Sequence, residues 1–179
     1  MNDHGTVLDP ATIRFQRLLP ADIETVWAFL TESDKRGQWL ASGDMELRVG
    51  GGVTLRFLHN QLSSVDEPTP EPFRAYENGV TTQGVITLCE PPRALAYTWG
   101  GSPGQPSEVL FELKAQDKGT LLTLTHRKLA DRAAMVDVAS GWHAHLGVLS
   151  ARLEGRQPGP FWSVLATLSQ DYEASVPGA

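Results

Sequence analysis

Four histidines in the body of the chain, His59, His126, His143 and His145, are the side chains best suited to proton or ligand chemistry. A neutral imidazole donates one hydrogen bond, accepts another, ligates metals and titrates near neutral pH. Spacing decides among these uses. Zinc needs several donors converging at about 2 Å, and helical histidines that share an ion usually stand at i and i+4. His143 and His145 are two apart, about 200° around a helix, so they cannot share one ion, and no metal is expected. The chain also lacks a G-x-S-x-G elbow, an H-E-x-x-H pair, a P-loop and a dinucleotide fingerprint. Acidic residues fall mostly on the polar parity of strand-like runs, where solvation accounts for them. No catalytic set is assigned and no cofactor is expected. Two uses of an imidazole remain. One is a neutral anchor in an apolar pocket; the other is general acid–base chemistry, for which His126, or His145 facing Trp99, is the candidate. His59 and His126 share parity with the apolar strand faces, and a strand-end surface position is the alternative reading for both.

Hydrophobic periodicity supplies the elements that must carry these side chains. Met135, Val138, Trp142, Leu146, Leu149 and Leu153 recur at steps of three and four, which places them within about 40° of Trp142 on a helical wheel. The run from Arg132 to Gly155 is therefore a long amphipathic helix. His145 lies about 60° and His143 about 100° from the stripe centre, at its margins.

Strand-like segments precede that helix. Residues 1–11 are polar and expected to be loose. Ile13 and Phe15 alternate with Arg14 and Gln16 in a strand from Thr12 to Leu19. Asp22 caps a helix carrying Ile23, Val26, Trp27 and Leu30, and a second short piece opens at Ser33-Asp34 and ends near Trp39-Leu40. Met45, Leu47 and Val49, then three glycines, then Val53, Leu55, Phe57 and His59, read as a hairpin. Residues 60–78 hold Pro68, Pro70 and Pro72 and form a long loop, either a flap seated by Phe73 and Tyr76 or a surface insertion. Strands follow at Val80–Cys89, with Gly84 a bulge or close-approach site, then at Leu95–Trp99, Val109–Lys114 and Leu122–His126. Short strands joined by tight turns imply an antiparallel meander, and the 132–155 stripe matches its apolar side. After GRQPGP, the spacing of Phe161, Leu165, Leu168 and Tyr172 predicts a terminal helix outside the main body.

Composition limits what such a molecule does. At 179 residues, 41% hydrophobic and 20% charged, it has the make-up of one domain with a sizeable core. The net charge of −6 and the scattered Lys and Arg residues argue against a nucleic-acid surface. No apolar run reaches transmembrane length, and the N-terminus lacks signal-peptide regions, so no membrane insertion is expected. Cys89 stands alone, which rules out an internal disulfide and makes a cytoplasmic location the default expectation. The oligomeric state is open, a homodimer included.

Five phrases, TVWAFLTESDKRGQWLA, MELRVGGGVTLRF, GVITLCEPPRALAYTWG, SEVLFELKAQDKGTLLTLTHRKL and SGWHAHLGVLSARLEG, occur in this order. Together they resemble bacterial single-domain proteins related to the activator of the heat-shock-protein-90 ATPase. These sit within the lipid-transfer (START), birch-allergen and polyketide-cyclase superfamily (SRPBCC). The resemblance covers roughly Thr12 to Gly155. It implies an α+β helix-grip fold: a curved antiparallel sheet wrapped around a long C-terminal helix over an internal cavity, here with an extra helical extension over 156–179. Superfamily members bind lipids, steroids and plant hormones, and some cyclise or dehydrate polyketides. In the eukaryotic activator a separate N-terminal domain helps engage the chaperone; this chain has no room for one, so the expectation is against a chaperone partner.

The expected function is binding of a small hydrophobic or amphipathic molecule between sheet and helix. The alternatives are a cyclase- or hydrolase-like enzyme using a cavity histidine, and an interaction module of the chaperone-activator type. Nine residues are candidates for the cavity: Trp39, Phe57, His59, Tyr97, Trp99, His126, Trp142, His145 and Leu146.

Overall fold

Alternation of apolar and polar residues produces strands with one buried face, and that face organises the whole molecule. The computed structural model describes residues 3–102 and 104–178. Within them the strands are β1 (Thr6–Asp9), β2 (Thr12–Leu19), β3 (Gly52–Phe57), β4 (Val80–Glu90), β5 (Ala94–Ser102), β6 (Gln105–Gln116) and β7 (Gly119–Arg127). They form one curved antiparallel sheet in the order β1-β2-β7-β6-β5-β4-β3. The register lines up the inward residues across neighbours: Phe15 opposite Leu124, Leu124 opposite Phe111, and Phe111 opposite Leu95. All four are buried, so the sheet presents a continuous apolar surface.

The helices are α1 (Ile23–Thr31), α2 (Ser33–Arg36), α3 (Arg132–Leu153) and α4 (Phe161–Ser175). The side chains of Asp22 and Asp131 accept from the Thr25 and Ala134 backbone N–H groups at 2.7 and 2.8 Å, capping α1 and α3. Along α3 the stripe residues Met135, Trp142, Leu146 and Leu149 are buried as the periodicity requires. Val136, Ala144, Val148 and Ala151 are buried too. Burial is wider than one stripe because α4 packs along α3 in addition to the sheet.

Two expectations are corrected. Residues 45–49 do not form the first strand of a hairpin: Met45 makes an isolated bridge to Val53, and Leu47 and Val49 are 44% and 65% exposed. Local bonds bend the chain here, Arg48 N–H to the Glu46 carbonyl and Gly51 N–H to the Arg48 carbonyl. The hairpin partner of β3 is β4, from Gly52 opposite Val85 to Phe57 opposite Val80, so residues 58–79 are its connection. Residues 6–9, read as part of a loose end, instead pair with β2, and Gly5 N–H donates to the Tyr172 hydroxyl at 2.8 Å. Gly84 is a site of close approach: a Cβ there would lie 2.2 Å from the Thr98 carbonyl oxygen of β5.

Candidate functional site

Where β3, β4 and β5 diverge from α3, a pocket of about 440 Å³ opens between sheet, α3 and α4. Phe57 enters it from β3, Val80 and Thr82 from β4, and Trp99 from β5. The inner turns of α3 contribute Asp137, Val138, Ser140, Gly141, Trp142 and His145. Phe161, Trp162, Leu165 and Ser169 come from α4, Leu40 from the turn after α2, and His59, Phe73 and Tyr76 from the 58–79 connection.

Aromatic rings dominate this wall. Trp99 and Trp142 lie 4.9 Å apart between centroids, and Phe57 meets Trp99 edge-on at 5.8 Å. His59 stacks on Phe57 at 5.6 Å and on Phe161 at 5.3 Å, with its ring centroid 5.5 Å from that of His145. Phe73 stacks on Trp162 at 5.3 Å. The connection therefore reaches the pocket and seats on α4.

Hydrogen bonds separate the histidines into two kinds. The Trp142 indole N–H donates to His126 Nδ1 at 2.9 Å. An indole nitrogen only donates, so Nδ1 is the acceptor and the His126 proton sits on Nε2, which donates to Ser107 Oγ at 2.8 Å. Ser107 in turn donates to the Gly100 carbonyl at 2.9 Å. His126 is fully buried and its pKa is lowered by desolvation to about 4, so it stays neutral. His145 donates from Nδ1 to the Trp39 carbonyl at 2.7 Å, which makes its Nε2 the lone-pair nitrogen. Burial, then the neighbouring His59, lowers its pKa to about 3. His59 is lowered to about 4 by burial, and its buried Nδ1 has no hydrogen-bond partner among the described residues.

A buried cation shapes the turn beneath His145. The Arg36 guanidinium donates to the carbonyls of Thr31 at 2.9 Å, of Ala41 at 3.0 Å and of Gly43. These bonds fold residues 37–43 back under α3. They place the Trp39 carbonyl against His145 and Leu40 in the wall.

Five of the nine sequence candidates, Phe57, His59, Trp99, Trp142 and His145, come together in the pocket wall. The other four stand behind it. Trp39 is fully buried and donates its indole N–H to the Phe29 carbonyl at 2.8 Å. Tyr97 stacks behind Trp99 at 6.2 Å, deeper in the sheet. Leu146 is fully buried one turn beyond Trp142, and His126 is screened by Trp142. Conversely, the sequence list lacks Phe73, Asp137, Ser140, Phe161, Trp162 and Leu165. Phe161 and Leu165 carry a visible helical period, but period alone does not say which surface a terminal helix meets. That helix packs along α3 and helps line the pocket, which corrects its reading as an outside element.

The Pro-rich connection is bonded to α4 at its first turn. Glu67 accepts from the backbone N–H groups of Trp162 at 3.1 Å and Ser163 at 3.2 Å, and Asn60 Oδ1 accepts the Trp162 indole N–H at 2.6 Å. Pro160 at the helix N-cap offers no side-chain acceptor, so the capping carboxylate comes from 95 residues earlier in the chain.

Among known proteins, the model of the family described as Activator of Hsp90 ATPase homolog 1-like protein matches residues 20–154. No curated protein matches the sequence. A Bordetella parapertussis protein solved by NMR, the product of gene BPP1335, is 48% identical with a TM-score of 0.83 over 99% of this chain and 92% of that one. The crystal structure of CalU16 from Micromonospora echinospora is 23% identical with a TM-score of 0.69, covering 98% of this chain and 96% of its own. A conserved Enterococcus faecalis protein of unknown function is 22% identical with a TM-score of 0.62, covering 95% and 91%. These last two share the fold, the helix-grip arrangement of a curved antiparallel sheet around a long C-terminal helix.

Proposed function

The chain belongs to the family of Activator of Hsp90 ATPase homolog 1-like proteins, and from that premise we propose that it binds a small hydrophobic or amphipathic molecule in the pocket between sheet and α3. The observation that carries the reading is the aromatic wall around about 440 Å³. That volume falls within the roughly 300–1,000 Å³ of ligand sites, which typically combine apolar walls with a few oriented polar groups. His145, held in one tautomer by the Trp39 carbonyl, is such a group.

Binding is favoured over acid–base catalysis by the same geometry. His126 has both ring nitrogens engaged by protein partners and lies behind Trp142. His145, with a pKa near 3, is a poor base at neutral pH and a serviceable hydrogen-bond acceptor. The test is titration of tryptophan emission with a fatty acid, a neutral sterol and a polycyclic aromatic, because Trp99, Trp142 and Trp162 all line the pocket. Saturable quenching by at least one class, weakened by a Leu165→Trp substitution that fills the space, is the expected result. No response to any class, together with no small molecule carried through purification in a mass spectrum, defeats the reading.

A further inference from the structure

Several wall side chains have their hydrogen bonds engaged within the protein. The Trp142 and Trp162 indole N–H groups are used within the protein, on His126 and Asn60. The Ser140 hydroxyl donates to the Val136 carbonyl at 2.6 Å and so keeps its acceptor capacity. His145 has its proton on the Trp39 carbonyl, and its Nε2 has no protein partner among the described residues. The wall thus sets π faces beside a few acceptors, the Ser140 hydroxyl and His145 Nε2 among them.

Its charge points the same way. Asp137 is the sole acidic side chain in the wall and no Lys or Arg lines it, among the described residues. Asp137 makes no ion pair there. Its carboxyl is pushed up by partial burial and by the like charges of Asp131 and Glu173, so a nearby cation would relieve both burdens. The pocket histidines stay neutral near pH 7, so no resident cation competes. Faces of Trp, Tyr and Phe attract cations through the ring quadrupole.

Resting on the pocket-binding reading, we infer that the preferred guest is an organic cation: an ammonium group on an apolar, partly aromatic body, with the charge toward Asp137 and the body against Trp99, Trp142 and Phe161. Fatty acids and other organic anions are disfavoured, since the wall offers them a like charge and no cation.

Three ligands with one bicyclic body and different charge test this: naphthylethylamine, naphthylethanol and naphthylacetate, titrated calorimetrically against the full chain at neutral pH. The amine should bind about five- to tenfold more tightly than the alcohol, as expected for one partly exposed ion pair with cation–π contacts, and the acetate most weakly. Asp137→Asn should cut the amine's advantage over the alcohol to about twofold, the share left to cation–π contacts. An alcohol that matches the amine, or an amine preference that Asp137→Asn leaves undiminished, overturns the cation selectivity and leaves pocket binding standing. Failure of all three to bind overturns the selectivity, and failure of the broader emission panel as well removes the pocket reading itself.

Discussion

His126 and His59 both sit against aromatic rings and both are held near pKa 4 by burial, yet they occupy opposite kinds of environment. Around His126 every polar atom is matched, from the Trp142 indole through the imidazole and Ser107 to the Gly100 carbonyl. Around His59 the ring is sandwiched between Phe57 and Phe161, and a buried nitrogen has no partner among the described residues. A matched buried network fixes one arrangement of a core, whereas an unmatched polar atom costs stability and is tolerated where a site needs it. The contrast divides the sheet interior into a closed part that sets the Trp142 side chain and an open part with capacity to receive a molecule.

Substitutions can break this division. Trp142 belongs to both parts, so Trp142→Ala should cost ~3–5 kcal/mol in a urea melt, combining a large core truncation with a stranded His126 nitrogen. A loss below about 1 kcal/mol would place the indole in a loosely packed wall instead. His126→Leu should cost about 1–3 kcal/mol by leaving the Trp142 donor unpaired and removing the donor to Ser107 Oγ.

The pH dependence sharpens the same point. His126, His59 and His145 have folded pKa values of about 4, 4 and 3, below the ordinary 6.5, so below pH 6.5 the unfolded chain binds more protons than the folded one. Their neutral forms therefore support the fold fully above pH 6.5, and that support is lost as pH falls toward 4. Thermal melts from pH 7.5 to 4.5 should show Tm falling, with a shallower fall in His126→Leu; equal slopes would mean that His126 is not the group resisting protonation.

Smaller effects test the open part. Glu67→Ala removes the acceptor at the first turn of α4 and should cost about 1 kcal/mol, with faster amide exchange at Trp162 and Ser163. His59→Phe keeps the stacked ring and removes the unpartnered nitrogen, so its stability should change by less than about 0.5 kcal/mol or rise. A large loss there would show that His59 carries a structural bond after all.

The sequence made one side of each element legible and little of what that side meets. Parity put His126 on the same strand face as Leu122 and Leu124 without separating a cavity position from a strand-end surface one, and helical spacing located α3 to within two residues of its observed end, Leu153. Those are local periodicities, written into the covalent repeat of strand and helix. The partners of His126, Trp142 and Ser107, lie 16 and 19 residues away, and the acceptor of the His145 proton is 106 residues away. Such pairings depend on strand order and helix placement, to which periodicity is blind. Residues 45–49 failed for a different reason: their alternation was real, but the bends at Glu46 to Gly51 outweighed it. Asp137 and Trp162 lay off the apolar stripes, and a pocket wall draws on side chains that a core does not.

The bonds from Glu67 and Asn60 to the start of α4, with Phe73 laid on Trp162, carry an evolutionary consequence. A chain that lost residues 60–78 would strand the first-turn amides of its terminal helix; one that lost that helix would leave Phe73 with nothing to cover. Two segments far apart in the gene thus form one heritable module. Relatives should gain or lose them together, and a lineage that kept only one should carry compensating changes at Trp162 or Phe73.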